Sequence, residues 1–229
     1  MAKNLRIVLY SGGQDTRNAL IHQSLLALGQ GSDDVRMTYI PVWSQNSGLY
    51  FERFRRRYRR YGATTFHCLA VDQPGGFDRR EAERTILNSD IVYLAGGNTF
   101  HFLSHLRRTG VLAILRRFGE RGGVLAGLSA GALILTPNIG LAAYPAFDCD
   151  ENEVGLTNRR ALGLVDFEFF PHFRNSKRYR TALTRYSRRS GRPVYACRDG
   201  SGVVIEEDRF TAHGEVWLFH GGQSLKIAA

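Results

Sequence analysis

Apolar positions in the first 135 residues come in short unbroken runs separated by amphipathic stretches. The runs are LRIVLY (5–10), RMTYIPVW (36–43), TTFHCLAV (64–71), DIVYLAGG (90–97) and GGVLAGLS (122–129). They lack the in–out alternation of a half-solvated strand and match strands buried on both faces of a parallel sheet. The stretches between them predict helices over 15–29, 49–61, 78–88, 99–108 and 110–119. This βαβα rhythm predicts a doubly wound, mostly parallel α/β sheet. After Pro137 the rhythm changes. LGLVDFEFF (162–170), PVYAC (193–197), GVVIEE (202–207) and EVWLFH (215–220) read as short strands joined by tight turns, an antiparallel extension. No linker, repeat or low-complexity tract divides residues 1–229, so a single domain is expected.

Composition narrows the class. A hydrophobic fraction of 43% supports a core, and no apolar run approaches the roughly 20 residues of a membrane helix. The start, MAKNLRIVLY, lacks a secretory h-region. Three separated cysteines form no CxxC pair, so neither a disulfide framework nor a zinc site is expected. These features predict a cytoplasmic protein without metal, cofactor or membrane partner, working as a monomer or homodimer.

The net charge is +10, with arginines clustered in FERFRRRYRRYG (51–62) and KRYRTALTRYSRRSGR (177–192). Such clusters can meet nucleic-acid phosphates. No nucleic-acid motif or stacking platform accompanies them, and the first reads as a solvated helix with Phe51, Phe54 and Tyr58 on its inner side. A nucleic-acid partner is not expected.

Candidate chemistry centres on GLSAG (127–131). A G-x-S-x-G sequence at a strand-to-helix junction is the form of a nucleophile elbow, which sets Ser129 at a helix N-terminus with the Ala130 N–H as an oxyanion donor. The Gly96-Gly97-Asn98 loop after the fourth strand can supply a second donor, or serve only as a glycine turn capped by Asn98 or Thr99. A serine nucleophile needs a base and an orienting acid. Of seven histidines, His22, His101 and His105 fall in helices and His67 mid-strand, while His172 follows a strand ended by Pro171. Asp199 directly follows the strand VYAC. Asp148, Asp150, Asp166, Glu206 and Glu207 stay open as acids.

AGGNTFHFL, GLSAGA and FFPHF together resemble peptidase family S51, the serine peptidases of the dipeptidase E and cyanophycinase type. The three segments keep the family's order, with Gly97 and His172 lying 32 and 43 residues either side of Ser129. The resemblance implies a fold akin to class I glutamine amidotransferases and hydrolysis of small peptides. It implies Ser129 as nucleophile, His172 as base, Asp199 as acid where dipeptidase E has glutamate, Gly97 and Ala130 as oxyanion donors, and Asn98 as pocket lining. Dipeptidase E reads an N-terminal aspartate with an arginine, for which Arg178 is the nearest match, with Arg180 beside it. A positively charged cleft would steer acidic substrates. Leu128 and Leu133 stand where dipeptidase E has Trp and Asn. Two other readings are weighed: an esterase of the α/β-hydrolase type using Asp199 or Asp208 with His213 or His220, and a basic nucleic-acid-binding protein.

Overall fold

The computed structural model describes residues 4–29, 34–45, 47–73 and 76–228. In chain order the first elements are β1 (Arg6–Tyr10), α1 (Ala19–Gly29), β2 (Val35–Ile40), α2 (Ser47–Arg59), β3 (Ala63–Cys68), α3 (Arg79–Leu87) and β4 (Ile91–Leu94). Then come α4 (Thr99–Arg108), α5 (Val111–Glu120), β5 (Val124–Leu128) and α6 (Ala130–Leu135). The remainder holds β6 (Glu168–Phe170), α7 (Lys177–Ser190), β7 (Val194–Cys197), β8 (Gly202–Glu206), β9 (Arg209–His213), β10 (Val216–His220) and β11 (Gln223–Ala228). A seven-stranded sheet runs β3-β2-β4-β5-β1-β8-β9, and a second sheet runs β11-β10-β7-β6.

β1 to β5 are mutually parallel, while β8 and β9 join antiparallel beside β1. Each central strand feeds two cores. Ile7, Leu9 and Leu125 point to the side of α3–α6 and the second sheet. Val8, Tyr10, Val124 and Ala126 point to the side of α1 and α2. That double burial is why these strands read as unbroken apolar runs. β3 departs from the expectation, because it is an edge: Thr64, His67 and Cys68 are exposed. The five expected helices form, the first opening as a 3-10 turn over Asp15–Asn18. α3 starts where Asp78 accepts from the N–H groups of Arg80 and Glu81 (2.8 and 3.0 Å), a cap worth about 1 kcal/mol.

On the α1–α2 side, His22 is fully enclosed and its Nδ1 lies 2.9 Å from the Tyr58 hydroxyl. Burial, followed by the Arg57 guanidinium, pushes its imidazole down to about 4. Arg57 itself pairs with Asp15 at 2.5 Å.

The C-terminal part keeps the expected antiparallel character but redraws its elements. The expected antiparallel pairing forms between β1 and β8, β8 and β9, β7 and β10, and β10 and β11. Only Glu168–Phe170 of the 162–170 run is strand, and it pairs with β7 in parallel. α7, β9 and β11 had no counterpart in the apolar pattern. Asp199-Gly200 forms the turn after β7. It carries the chain from β7 in the second sheet to β8 in the first.

Candidate active site

β5 delivers Ser129 to the carboxyl end of the parallel strands, between β4 and β1. The Ser129 N–H donates to the Tyr10 carbonyl at 3.0 Å, tying the turn to the end of β1. Its backbone takes φ 50, ψ −108, a conformation that side-chain-bearing residues rarely hold. The flanking glycines let the turn close. A methyl on Gly127 would sit 2.5 Å from the Gly131 carbonyl and the Ala132 nitrogen, and one on Gly131 would strike the Leu94 carbonyl. The Gly131 N–H donates to the Ala95 carbonyl (3.1 Å), holding the loop after β4 against the elbow.

His172 follows β6 with φ 56. Its Nδ1 lies 2.7 Å from Asp199 Oδ1, and its Nε2 lies 2.8 Å from Ser129 Oγ. With Nδ1–H donating to the carboxylate, Nε2 is the acceptor and the serine hydroxyl donates to it. Both His172 and Asp199 are about half exposed (48% and 51%). The loop after β1 supports the pair. The buried Ser11 hydroxyl donates to the Cys197 carbonyl (2.6 Å) and accepts from the His172 N–H (3.1 Å). Gly12 packs flat against the pair: a methyl there would lie 3.2 Å from His172 Cε1 and 3.4 Å from Asp199 Oδ1. Its carbonyl accepts from the Gly200 N–H (2.8 Å) and Asn18 Nδ2 (2.9 Å). This Ser11-Gly12 support was missed in the sequence. Its only signal was a run of small residues leaving a parallel strand.

A nucleophile-type serine hydrogen-bonded to a histidine on an acid, in the chain order Ser, His, Asp, narrows the comparison with known proteins. The sequence model described as peptidase family S51 matches residues 7–213. The chain belongs to peptidase family S51. An uncharacterized peptidase of Listeria monocytogenes is 40% identical over 96 residues, covering 42% of this chain and 46% of that protein. The chain thus spans less than half the length of that relative in the match. A peptidase E of Shewanella amazonensis is 25% identical over 99% of this chain and 96% of its own length. Two crystal structures share the fold. One, a peptidase from an acI-B1 actinobacterium, has a TM-score of 0.72 at 15% identity, covering 100% of this chain and 96% of its own. The other, a Listeria monocytogenes protein described as a candidate peptidase E, has a TM-score of 0.71 at 24% identity, covering 91% and 97%.

Within this S51 chain, a cleft of about 130 Å³ opens beside Ser129 and His172, with Thr99, Leu133, Leu141 and Phe170 in its walls. Asp148 and Asp150 also line it, and among the described residues no arginine or lysine does. The cleft expected to be basic is therefore lined by carboxylates. Asp148 accepts from the Tyr179 hydroxyl (2.6 Å) and Asp150 from the Thr99 N–H (2.7 Å), so both carboxylates are held in place. Leu133 lies in the wall, whereas Leu128 packs toward Gly12 and the α1–α2 core.

Asn98 caps α4: its Oδ1 accepts from the Phe100 and His101 N–H groups, and its Nδ2 donates to the Glu151 carbonyl. It anchors the loop and is not in the cleft wall. Among the described residues, the Gly97 and Ala130 N–H groups have no protein acceptor. Arg178 sits outside the cleft, its guanidinium 3.5 Å from the centre of the Phe147 ring, one residue before Asp148. Of the other histidines, His101 meets Glu153 (2.9 Å) and His213 meets Ser24 (3.3 Å). His220 is exposed at the end of β10, and none of these lines the cleft.

Proposed function

We propose that this S51 protein is a serine peptidase of the dipeptidase E type, with Ser129, His172 and Asp199 as its triad. The observation that carries the reading is the unbroken hydrogen-bonded chain from the Ser129 hydroxyl through His172 to Asp199. Ser129 attacks the scissile carbonyl while His172 takes its proton, and Asp199 holds the imidazolium. The protonated histidine then gives that proton to the leaving amine. Water, activated by the same histidine, hydrolyses the acyl-enzyme. The Gly97 and Ala130 N–H groups receive the oxyanion, each contributing about 3 kcal/mol.

The substrates are short peptides with an acidic first residue. A free α-ammonium complements Asp148 and Asp150 in the cleft lining. The acidic side chain then points outward to Arg178, whose guanidinium offers charge-assisted, bidentate contact. Three unpaired cysteines, two of them exposed, favour a reducing compartment such as the cytoplasm.

The test is a dipeptide panel, Asp-Xaa beside neutral Xaa-Xaa, with wild type, Ser129→Ala and Arg178→Gln. Cleavage of Asp-Xaa is expected to vanish with Ser129→Ala. Arg178→Gln is expected to raise KM for Asp-Xaa while leaving neutral dipeptides unchanged. Hydrolysis undiminished in Ser129→Ala refutes the triad, and equal rates on both peptide classes in wild type refute the acidic preference.

A further inference from the structure

The two arginine-rich helices handle their charge differently. On α2, Arg55 pairs with Glu52 and Arg57 with Asp15, both at 2.5 Å. Arg53, Arg55 and Arg59 also lie over the rings of Tyr50, Phe51 and Phe66. α7, KRYRTALTRYSRRS, contains no acid. Although its Arg178, Arg180 and Arg189 also lie over rings, those of Phe147, Trp217 and Tyr144, none of its cations has an ion pair among the described residues. Its Tyr179, Leu183 and Ser187 face the core at a spacing of four, which turns Lys177, Arg180, Arg185 and Arg188 outward. These four cations, with the hydroxyls of Thr181, Thr184 and Ser224, line a groove of about 460 Å³ between α7 and β11. Among the described residues no carboxylate lies within 4.0 Å of any of the four.

We propose that this groove binds a ligand carrying several phosphates, of mononucleotide size. Four of the seven lining residues are cations and the other three carry hydroxyls, so the lining favours an anion. Guanidinium, ammonium and hydroxyl groups together match phosphate oxygens through charge-assisted bonds. The cations extend from Lys177 to Arg188, about 16 Å along the helix, more than one orthophosphate spans. The volume falls in the range of small-ligand sites, about 300–1,000 Å³. Among the described residues no aromatic ring is in the groove lining, so the phosphates are what it reads. Cations three residues apart, such as Arg185 and Arg188, repel along the helix, and a bound anion removes that repulsion. The site is separate from the peptidase reading and stands or falls without it.

The experiment is calorimetric titration of the full chain with inorganic triphosphate in about 50 mM and about 200 mM salt. Binding that weakens with salt is expected, and Arg185→Gln with Arg188→Gln is expected to weaken it about tenfold or more. The same charge removed from α2, Arg53→Gln with Arg56→Gln, is expected to leave it unchanged. If the α7 pair does not fold, Lys177→Gln carries the same comparison. No binding of triphosphate, or equal losses in the two pairs, overturns the site. A single-stranded oligonucleotide of about ten nucleotides serves as the other arm. Tighter binding of that strand than of triphosphate overturns the small-ligand assignment in favour of a nucleic-acid backbone.

Discussion

Two of the molecule's polar hollows are built on opposite plans. The cleft at Ser129 is small, made of loops at strand ends, and lined by carboxylates and apolar walls. The groove on α7 is larger, made from one face of a regular helix, and lined by cations and hydroxyls. The cleft is also where backbone strain collects. Among the described residues the non-glycine positions with positive φ are Ser129, His172 and Glu207, and two of the three belong to the proposed triad. Bond making needs atoms fixed to within fractions of an ångström, and strained positions persist where the surrounding contacts over-determine them. Holding a diffuse anion needs only charge at the right spacing, which an ordinary helix provides.

Substitutions that act on one hollow and spare the other sharpen this contrast. The largest effect is expected from Ser129→Ala, which removes the attacking group: kcat for dipeptide hydrolysis falls about 10⁴-fold or more. Triphosphate affinity should stay the same, and a parallel loss there would mean that the two hollows are coupled. Asp199→Asn comes next, with kcat down about 10⁴-fold through a misoriented imidazole and little change in KM. Ser11→Ala is milder. It leaves the His172 N–H without its acceptor, and kcat is expected to fall about 10- to 100-fold at constant KM. A rise in KM with kcat intact would show that Ser11 supports binding rather than the imidazole.

The last expected effect is on stability alone and lies apart from both hollows, in the α1–α2 core. His22, packed against Tyr58 and near Arg57 and Asp15, has its folded value lowered from 6.5 to about 4. The unfolded chain therefore takes up this proton first as pH falls. The stability present above pH 6.5 is lost progressively toward pH 4, by about 3 kcal/mol for this group. Denaturant unfolding at pH 7 and pH 4 measures it, and His22→Gln should shrink the difference. An unchanged difference in that variant would remove His22 as the cause.

Much of this contrast was legible in the sequence on one side only. The parallel strands declare themselves because both faces are buried, so Val8 and Leu9 are equally apolar. The elbow declares itself because its glycines are required by contact, and Pro171-His172 because a proline ends a strand. β9 and β11 have no such mark. They are edge strands with mostly exposed side chains, so RFTAH and QSLKIA carry little hydrophobic pattern. α7 hides for a related reason: only Tyr179, Leu183 and Ser187 face inward, and the arginines between them read as a charge run. The acidity of the cleft wall was beyond sequence reasoning, since Asp148 and Asp150 reach it on a loop without periodicity.

The turn at Asp199 crosses from the second sheet to the first, while Ser129 stands on the first sheet and His172 on the second. The three side chains thus act as a caliper between the sheets. Anything that slides one sheet by an ångström opens the caliper while both cores remain packed. Hydrolysis should then fade ahead of any melting signal on gentle heating, making turnover the finest available gauge of how the two layers sit together.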